Sequence, residues 1–205
     1  MITIVDYKAG NLTSVKRALD HLGLPNRISA DPQAVRLAER IIFPGVGHAG
    51  TAMGVLKERG LDSALTEAFR KGTPILGICV GSQIVLSRSE EGDTSGLDLI
   101  PGECVRFRVM DAALKIPHMG WNAVAVARPH PLLAGMRAGD EFYFVHSYYP
   151  RPADESYVFA TCEYGGTFPA AIGKDNLFAV QFHAEKSGPV GLQLLENFSR
   201  WEIGA

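Results

Sequence analysis

Cysteine is scarce in this sequence, and its three residues stand far apart at Cys79, Cys104 and Cys162. This number and spacing suit neither a disulfide framework nor a zinc motif, so reduced thiols are expected. A metal site built on His183 and Glu185 is also disfavoured, because no third and fourth ligand follows at a useful spacing. The sequence therefore predicts no metal and no other cofactor.

Long hydrophobic runs and an excess of one charge are missing as well. No apolar segment approaches the roughly 20 residues that a membrane-spanning helix needs. The short apolar run at the N-terminus lacks the basic stretch that precedes a signal peptide core. The formal net charge is −2, with no dense Lys/Arg block, which disfavours nucleic acid and anionic membranes as partners. We expect a soluble, cytoplasmic protein.

Apolar residues are plentiful, at 46% of 205 residues, which is enough for one compact domain with a sizeable core. We expect a single domain over residues 1–205. Short apolar strands alternate with amphipathic helices in the first half, a pattern typical of parallel strands with crossover helices. The second half has strand-like pieces between turn residues. The predicted fold class is α/β, with a mainly parallel central sheet, helices on both faces and an antiparallel extension.

Several elements can be placed individually. The segments "ITIVDY", "RIIFPG" and "TPILGIC" predict strands, "EFYFVHSYY" predicts one antiparallel strand, and "NLFAVQFH" predicts a returning strand. A first helix is predicted over residues 12–22, with Asn11 as its N-cap and Gly23 at its end. Further helices are predicted over "GLDSALTEAFRKG" and "GPVGLQLLENFSRW".

One cysteine stands between two glycines, directly after a predicted strand. Gly77-Ile78-Cys79-Val80-Gly81 has the form of a nucleophile elbow, where a strand ends, the nucleophile occupies a strained turn and a helix begins. Glycine is needed there because side chains would collide with neighbouring backbones. Helix amides after Cys79 would favour the thiolate, and the Val80 N–H would bind an oxyanion. Taken alone, the pattern also suits a buried core cysteine.

A base for this cysteine is suggested by the segment "QFHAEKSG". His183 ends a predicted strand, at the edge where open α/β sheets bind ligands. If the chain stays extended, Glu185 points to the same face and can orient the imidazole. The Gly-rich segment "FPGVGHAG" follows another strand and can supply a second oxyanion donor. The alternatives are an ordinary polar strand end and a common βα turn.

With these residues, the sequence resembles the class I glutamine amidotransferase family and its flavodoxin-like fold. "GICVGSQ" and "QFHAEKSG" match the family's triad. "DYKAGNL", "PGVGH", "IPHMGWN" and "FVHSYY" further resemble the glutaminase subunits of imidazole glycerol phosphate synthases. The resemblance implies that Cys79 attacks the small-molecule substrate glutamine, that His183 moves the proton and that Glu185 orients His183. Glutamate and ammonia would result.

The resemblance also implies further site residues and a partner. The residues expected to hold glutamine are Gln83, Ser147 and Tyr148, and the expected oxyanion amides are those of Gly47 and Val80. The implied partner is a cyclase subunit with a (β/α)8 barrel, which uses the ammonia in histidine biosynthesis, so we expect a heterodimer. The residues expected at that interface are Asn11, Met119, Trp121, Tyr143 and Lys186.

The sequence departs from the family at several positions. Ala184 stands where proline is usual, which would loosen the triad. Val80, Ser82 and Ala49 replace a usual leucine, a common methionine and a frequent aromatic residue. Two alternatives stay open: an amidotransferase paralogue that serves a different acceptor synthase, and a non-catalytic regulatory module of the same fold. An unrelated cysteine hydrolase of similar architecture is disfavoured, because it would not need the three glutamine-binding residues together.

Overall fold

The computed structural model describes residues 1–8, 11–111 and 113–204, so Ala9 and Gly10 of the "DYKAGNL" segment lie outside the described residues. The helices are α1 (Leu12–His21), α2 (Pro32–Arg36), α3 (Ala49–Glu58), α4 (Leu61–Arg70), α5 (Val80–Ile84) and α6 (Gly188–Arg200). The strands are β1 (Ile2–Val5), β2 (Asn26–Ser29), β3 (Arg40–Gly45), β4 (Ile75–Cys79), β5 (Leu86–Ser89), β6 (Thr94–Ser95), β7 (Ile100–Arg106), β8 (His118–Val126), β9 (Glu141–His146), β10 (Tyr148–Pro152), β11 (Val158–Glu163), β12 (Thr167–Lys174) and β13 (Leu177–Val180).

The larger of two sheets has nine strands in the order β2-β1-β3-β4-β13-β12-β11-β8-β9. Its first five strands are parallel, and every pair beyond β13 is antiparallel. The central strands β4 and β13 are buried along their whole length, as expected for parallel strands that are covered on both faces. This arrangement confirms the predicted α/β class with an antiparallel extension.

The smaller sheet has four strands in the order β10-β7-β5-β6, and the sequence does not predict it. The segment "EFYFVHSYY" was expected to form one strand, and this expectation is wrong. The segment divides at Ser147 into β9 of the large sheet and β10 of the small one. Its aromatic and β-branched residues favour an extended chain on both sides of the break, so the change of sheet leaves no signal in the sequence.

The predicted helices are present, with differences at their ends. α1 buries Val15, Ala18 and Leu19, and Gly23 follows it with φ +66°, a conformation that glycine adopts easily. Asn11 precedes α1, but its side chain makes no capping hydrogen bond, so the predicted cap is wrong. The helix expected directly after Cys79 is present as the short α5, whereas the short α2 and the weakly amphipathic α3 are not predicted individually. None of the helices in the described residues combines the length and apolar character needed to cross a membrane.

Candidate active site

The ends of three neighbouring parallel strands bring the predicted catalytic residues to one edge of the large sheet. β3 and β4 pair through Gly45 and Cys79, and β13 pairs with β4 through Val180 and Ile78. Cys79 therefore lies between the loop that follows β3 and the segment that leads from β13 to His183. The carboxyl edge of parallel strands is where open α/β folds bind ligands.

Cys79 occupies the sharp turn between β4 and α5. Its φ of 55° and ψ of −110° form a backbone conformation that residues other than glycine rarely adopt. A Cβ atom at Gly81 would lie 2.1 Å from the Phe43 carbonyl oxygen, and one at Gly77 would lie 3.1 Å from the Gly81 carbonyl. The backbone segments therefore leave no room for a side chain at Gly81 and only a tight fit at Gly77. The strand-turn-helix geometry is that of a nucleophile elbow.

Substitution of Gly81 is expected to destabilise the whole protein. In Gly81→Ala the new methyl group meets the Phe43 carbonyl oxygen, and relieving the overlap should cost about 2–3 kcal/mol. Urea unfolding followed by circular dichroism measures the loss. Gly54→Ala is the matched control, because a Cβ there meets nothing within 4 Å and alanine favours the helix by up to about 1 kcal/mol. Equal unfolding midpoints for Gly81→Ala and the wild type would contradict the expectation.

His183 and Glu185 form a buried pair close to this turn. The Nδ1 atom of His183 lies 2.8 Å from Oε1 of Glu185, and the two side chains are 2% and 1% exposed. The chain between them is not extended as expected, because residues 184–186 form a single 3-10 turn. The expectation of an extended pair is wrong, yet the turn still brings the carboxylate to the imidazole.

The turn that joins the pair is held by hydrogen bonds. The Ser187 hydroxyl donates to the His183 carbonyl oxygen at 2.6 Å and accepts from the Tyr143 N–H at 3.0 Å. The Lys186 N–H donates to the same His183 oxygen at 3.0 Å. Ala184 was expected to loosen this region because it replaces a proline. These contacts fix the turn without the proline ring.

The charge state of His183 depends on its two neighbours. Burial lowers the pKa of the imidazole, but the interactions with Cys79 and Glu185 outweigh burial, and the net pKa is raised. The Nε2 atom is buried and has no hydrogen-bond partner with full geometry among the described residues, yet its approach to the Cys79 sulfur is the largest of the interactions that raise the pKa of the ring. The site favours an imidazolium beside the cysteine, as an activated thiolate requires.

A cavity of about 280 Å³ opens beside Cys79, close to the lower end of the roughly 300–1,000 Å³ typical of small-molecule sites. It brings together the residues predicted for catalysis, oxyanion binding and glutamine binding, except Glu185, which pairs with His183. The lining residues are Val46, Gly47, Cys79, Val80, Gln83, Glu91, Pro117, Val145, His146, Ser147, Tyr148 and His183.

Gln83 is fixed by two hydrogen bonds on one side of the cavity. Its side-chain N–H groups donate to the Tyr148 carbonyl oxygen at 3.0 Å and to Gln181 Oε1 at 3.1 Å. Gln83 therefore has its own carbonyl oxygen to offer a ligand. Gln181 in turn places its amide nitrogen 3.9 Å from the Cys79 sulfur. Sequence reasoning missed Gln181, although it stands two residues before His183 in the same segment.

The loop after β3 is shorter than expected, because α3 already begins at Ala49. Gly47 has φ +93°, and nothing lies within 4 Å of the place where its Cβ would be. The loop can therefore turn a backbone amide toward the cavity. The Ala49 N–H donates to Glu91 Oε2 at 2.6 Å, which holds the Glu91 carboxylate at the cavity wall. Glu91 was missed, since nothing in "SEEGD" distinguishes it from surface acids.

The predicted interface residues cluster on one face next to the catalytic turn. The rings of Trp121 and Tyr143 are 6.1 Å apart, and Lys186 Nζ lies 5.9 Å from the centre of the Tyr143 ring. Met119 and Trp121 are 62% and 53% exposed and alternate on β8, so they point to the same side. The helix that Asn11 precedes contacts the 184–186 turn. We call these five residues the docking face.

The other cysteines lie outside this site. Cys104 and Cys162 are buried in strands, and burial raises the pKa of both thiols, which makes them poor nucleophiles at neutral pH. No group of three His, Cys, Asp or Glu side chains within the described ranges is placed to hold a metal ion.

The sequence matches one protein family over nearly its whole length. The family model described as glutamine amidotransferase class-I matches residues 3–200. The chain is 54% identical over 206 residues to the imidazole glycerol phosphate synthase subunit HisH of Nitratidesulfovibrio vulgaris. This alignment covers 98% of this chain and 96% of that protein. It is 49% identical over 198 residues to the subunit of the same name from Moorella thermoacetica. That alignment covers 96% of this chain and 93% of the relative.

Solved structures resemble the fold across nearly the whole chain. A crystal structure of a glutamine amidotransferase superposes with a TM-score of 0.74 at 18% identity and covers 97% of this chain and 99% of its own. The structure of PurLQS from Thermotoga maritima gives a TM-score of 0.76 at 19% identity, with 97% of both chains covered. At this identity the likeness shows a shared fold and nothing further.

Proposed function

This chain belongs to the class-I glutamine amidotransferase family, and we propose that the cavity at Cys79 hydrolyses glutamine to glutamate and ammonia. Relatives at 54% and 49% identity bear the name of an imidazole glycerol phosphate synthase subunit, so the chain is the glutaminase subunit of that synthase in histidine biosynthesis. The observation that supports the residue roles is the convergence of Cys79, His183 and the polar cavity wall. The reaction needs a reduced thiol, which suits the cytoplasm.

The first half of the reaction forms a covalent intermediate. The Cys79 thiolate attacks the side-chain amide carbon of glutamine, and the carbonyl electron pair moves onto oxygen. The amides of Val80 and Gly47 stabilise this oxyanion. When the tetrahedral intermediate collapses, the carbon–nitrogen bond breaks, the His183 imidazolium gives its proton to the nitrogen, and ammonia leaves. A γ-glutamyl thioester remains on Cys79.

The second half hydrolyses the thioester. Neutral His183 takes a proton from water as the water oxygen attacks the thioester carbon. The carbon–sulfur bond then breaks, which restores the thiolate and leaves the imidazolium in place. The new carboxyl group loses its remaining proton to solvent, and glutamate leaves. Glu185 keeps Nδ1 as the donor of its hydrogen bond and compensates the charge of the ring in both halves.

Substrate orientation follows from the polar groups of the cavity wall. The Glu91 carboxylate offers a negative partner for the α-ammonium group of glutamine. Ser147 and Tyr148 lie at the junction of the two sheets, line the same cavity and contact the substrate there. The Gln83 carbonyl oxygen accepts a hydrogen bond from it. Ser147, the single residue between β9 and β10, is therefore part of the site.

The docking face is the place where the partner binds. Its exposed methionine and aromatic side chains are of the kind enriched in interface cores. We assign it to a cyclase subunit with a (β/α)8 barrel, bound as a heterodimer. Ammonia released into water would be protonated and lost, so delivery inside the complex is required. The position of the docking face beside His183 suits such a path.

The test is glutamate release from glutamine by this chain alone and in a mixture with the cyclase subunit of the same organism and its nucleotide substrate. A rise of at least about tenfold in the mixture is expected, within the range usual for coupled sites. The mixture without the nucleotide is the control. Equal activity with and without the partner would overturn the partnership. No activity in either sample would favour another acceptor synthase or a regulatory module.

A further inference from the structure

Two buried histidines that the reaction does not use connect the glutamine cavity to the strand of the docking face. His146 places Nδ1 2.8 Å from the Tyr148 carbonyl oxygen and Nε2 3.0 Å from Nδ1 of His118. His118 places Nε2 3.3 Å from the side-chain nitrogen of Asn122. The two histidines are 5% and 3% exposed, and His146 lines the cavity.

The partners at the two ends fix every proton in this chain. The side-chain nitrogen of Asn122 also donates to the Glu163 carbonyl oxygen at 2.9 Å, which settles the orientation of the amide. It therefore donates to Nε2 of His118. At the other end a carbonyl oxygen can only accept, so His146 carries its proton on Nδ1. His118 Nδ1 must then donate to His146 Nε2, and both rings are neutral Nδ1–H tautomers.

The surroundings keep both rings neutral. Four aromatic rings pack against them, those of Phe107, Phe144, Tyr164 and Phe168, and neither ring has a carboxylate within hydrogen-bond distance among the described residues. Burial lowers the pKa of His118 to about 4 and that of His146 to about 3. The hydrogen bond to Tyr148 raises the pKa of His146 by less than burial lowers it, and the neighbouring His118 and His183 lower that pKa further. The hydrogen-bond direction is therefore the same throughout the neutral pH range.

We propose that His146 and His118 are positioning residues for glutamine, which hold the Ser147–Tyr148 segment where the substrate binds. The inference rests on the proposed glutaminase function. The Tyr148 carbonyl oxygen accepts from both His146 and Gln83, so this one oxygen ties the cavity wall to two buried side chains. Asn122 and His118 occupy the inner face of β8, while Met119 and Trp121 occupy its outer face. A continuous chain of hydrogen bonds therefore joins β8, which carries Met119 and Trp121, to the Tyr148 carbonyl oxygen beside the cavity.

The first test reads the protons directly in the wild-type chain. Nitrogen-15 NMR of histidine-labelled protein at neutral pH should show two neutral Nδ1–H rings, the minor tautomer of free histidine. The spectra of His118→Asn and His146→Asn assign the two signals. A charged ring, or an Nε2–H tautomer at either position, overturns the proposal. The deciding signals are those of the wild-type protein, and the two variants serve only to assign them.

The second test separates positioning from a general structural role. In His146→Asn the amide nitrogen takes the place of Nδ1 and can still donate to the Tyr148 carbonyl oxygen, whereas His146→Leu removes the donor. The glutaminase assay in the complex should show KM for glutamine raised about tenfold in His146→Leu, the usual effect of one lost hydrogen bond, with kcat within about threefold. His146→Asn should keep KM within about threefold of the wild type.

A third histidine provides the matched control. His130 is also packed among aromatic rings, stacked on Phe178 at 4.2 Å, but it does not line the cavity. His130→Leu should leave the KM for glutamine unchanged. If the wild-type complex is active and His146→Leu keeps a normal KM, or loses kcat alone, the positioning role is overturned while the proposed function stands. If the wild-type complex releases no glutamate, the proposed function fails and the inference fails with it.

Discussion

Cys79→Ala should abolish glutamine-dependent synthesis by the complex while synthesis from added ammonium salt continues. The substitution removes the nucleophile and leaves the cavity, the docking face and the partner's active site in place. We expect the glutamine-dependent rate to fall by at least about 10⁴-fold, as when other enzymes lose the nucleophile of a catalytic triad. The measurement is product formation by the complex with glutamine and, separately, with ammonium chloride.

The controls for this prediction are the two other cysteines. Cys104→Ala and Cys162→Ala remove buried thiols outside the cavity, so both variants should keep their glutamine-dependent rates apart from modest losses of stability. Loss of both activities in Cys79→Ala would contradict the division of labour between the subunits. An electrophilic glutamine analogue adds a second criterion: it should label Cys79, and failure to label it with or without the partner would favour a regulatory module.

Glu185→Gln should reduce kcat by about 10²–10⁴-fold with little change in the KM for glutamine. The amide can still accept a hydrogen bond from His183, so the ring keeps its place. The negative charge that stabilises the imidazolium is lost, and an imidazolium is needed to protonate the departing ammonia. Because Glu185 is 1% exposed, solvent cannot replace that charge. Steady-state kinetics of the complex measure the effect.

The same variant should change the pH dependence in a defined direction. Burial lowers the pKa of His183, and Glu185 is one of two groups that raise it above its usual value. Without the carboxylate, the pKa of the imidazolium falls, and its proton is lost at lower pH. The alkaline limb of kcat/KM should therefore move to lower pH. Glu196→Gln removes a half-buried carboxylate outside the cavity, paired with Arg200, and should leave the profile unchanged. An unchanged profile in Glu185→Gln would contradict the assigned role.

The parts of the site that the sequence predicts are those encoded by local pattern. A buried strand that ends at a cysteine, with a glycine two residues to either side of it, defines the turn at Cys79, since the backbone approach is dictated within five residues. The contact between His183 and Glu185 is also local, although its conformation is a 3-10 turn and not a strand. Short-range spacing thus identified the contact but not the backbone shape that makes it.

The parts that sequence reasoning missed depend on contacts between distant segments. Glu91 reaches the cavity because β5 and the turn after it belong to the small sheet, and no periodicity marks that sheet. Gln181 is an ordinary polar residue at the end of a strand until Gln83 and Cys79 are placed beside it. The sequence also gives no sign that the strand divides at Ser147, because the residues on both sides favour strands. Their positions follow from the packing of the two sheets, which a single sequence does not encode locally.

Strand β8 has a consequence for how this protein can evolve. Its alternating residues present Met119 and Trp121 to the outside and His118 and Asn122 to the inside. Inserting or deleting one residue before this stretch would exchange the two faces, with apolar side chains turned inward and polar ones outward. Point substitutions can adapt the outer face to a changing partner one residue at a time, but a change of length in this strand would disrupt partner recognition and the substrate wall in a single step.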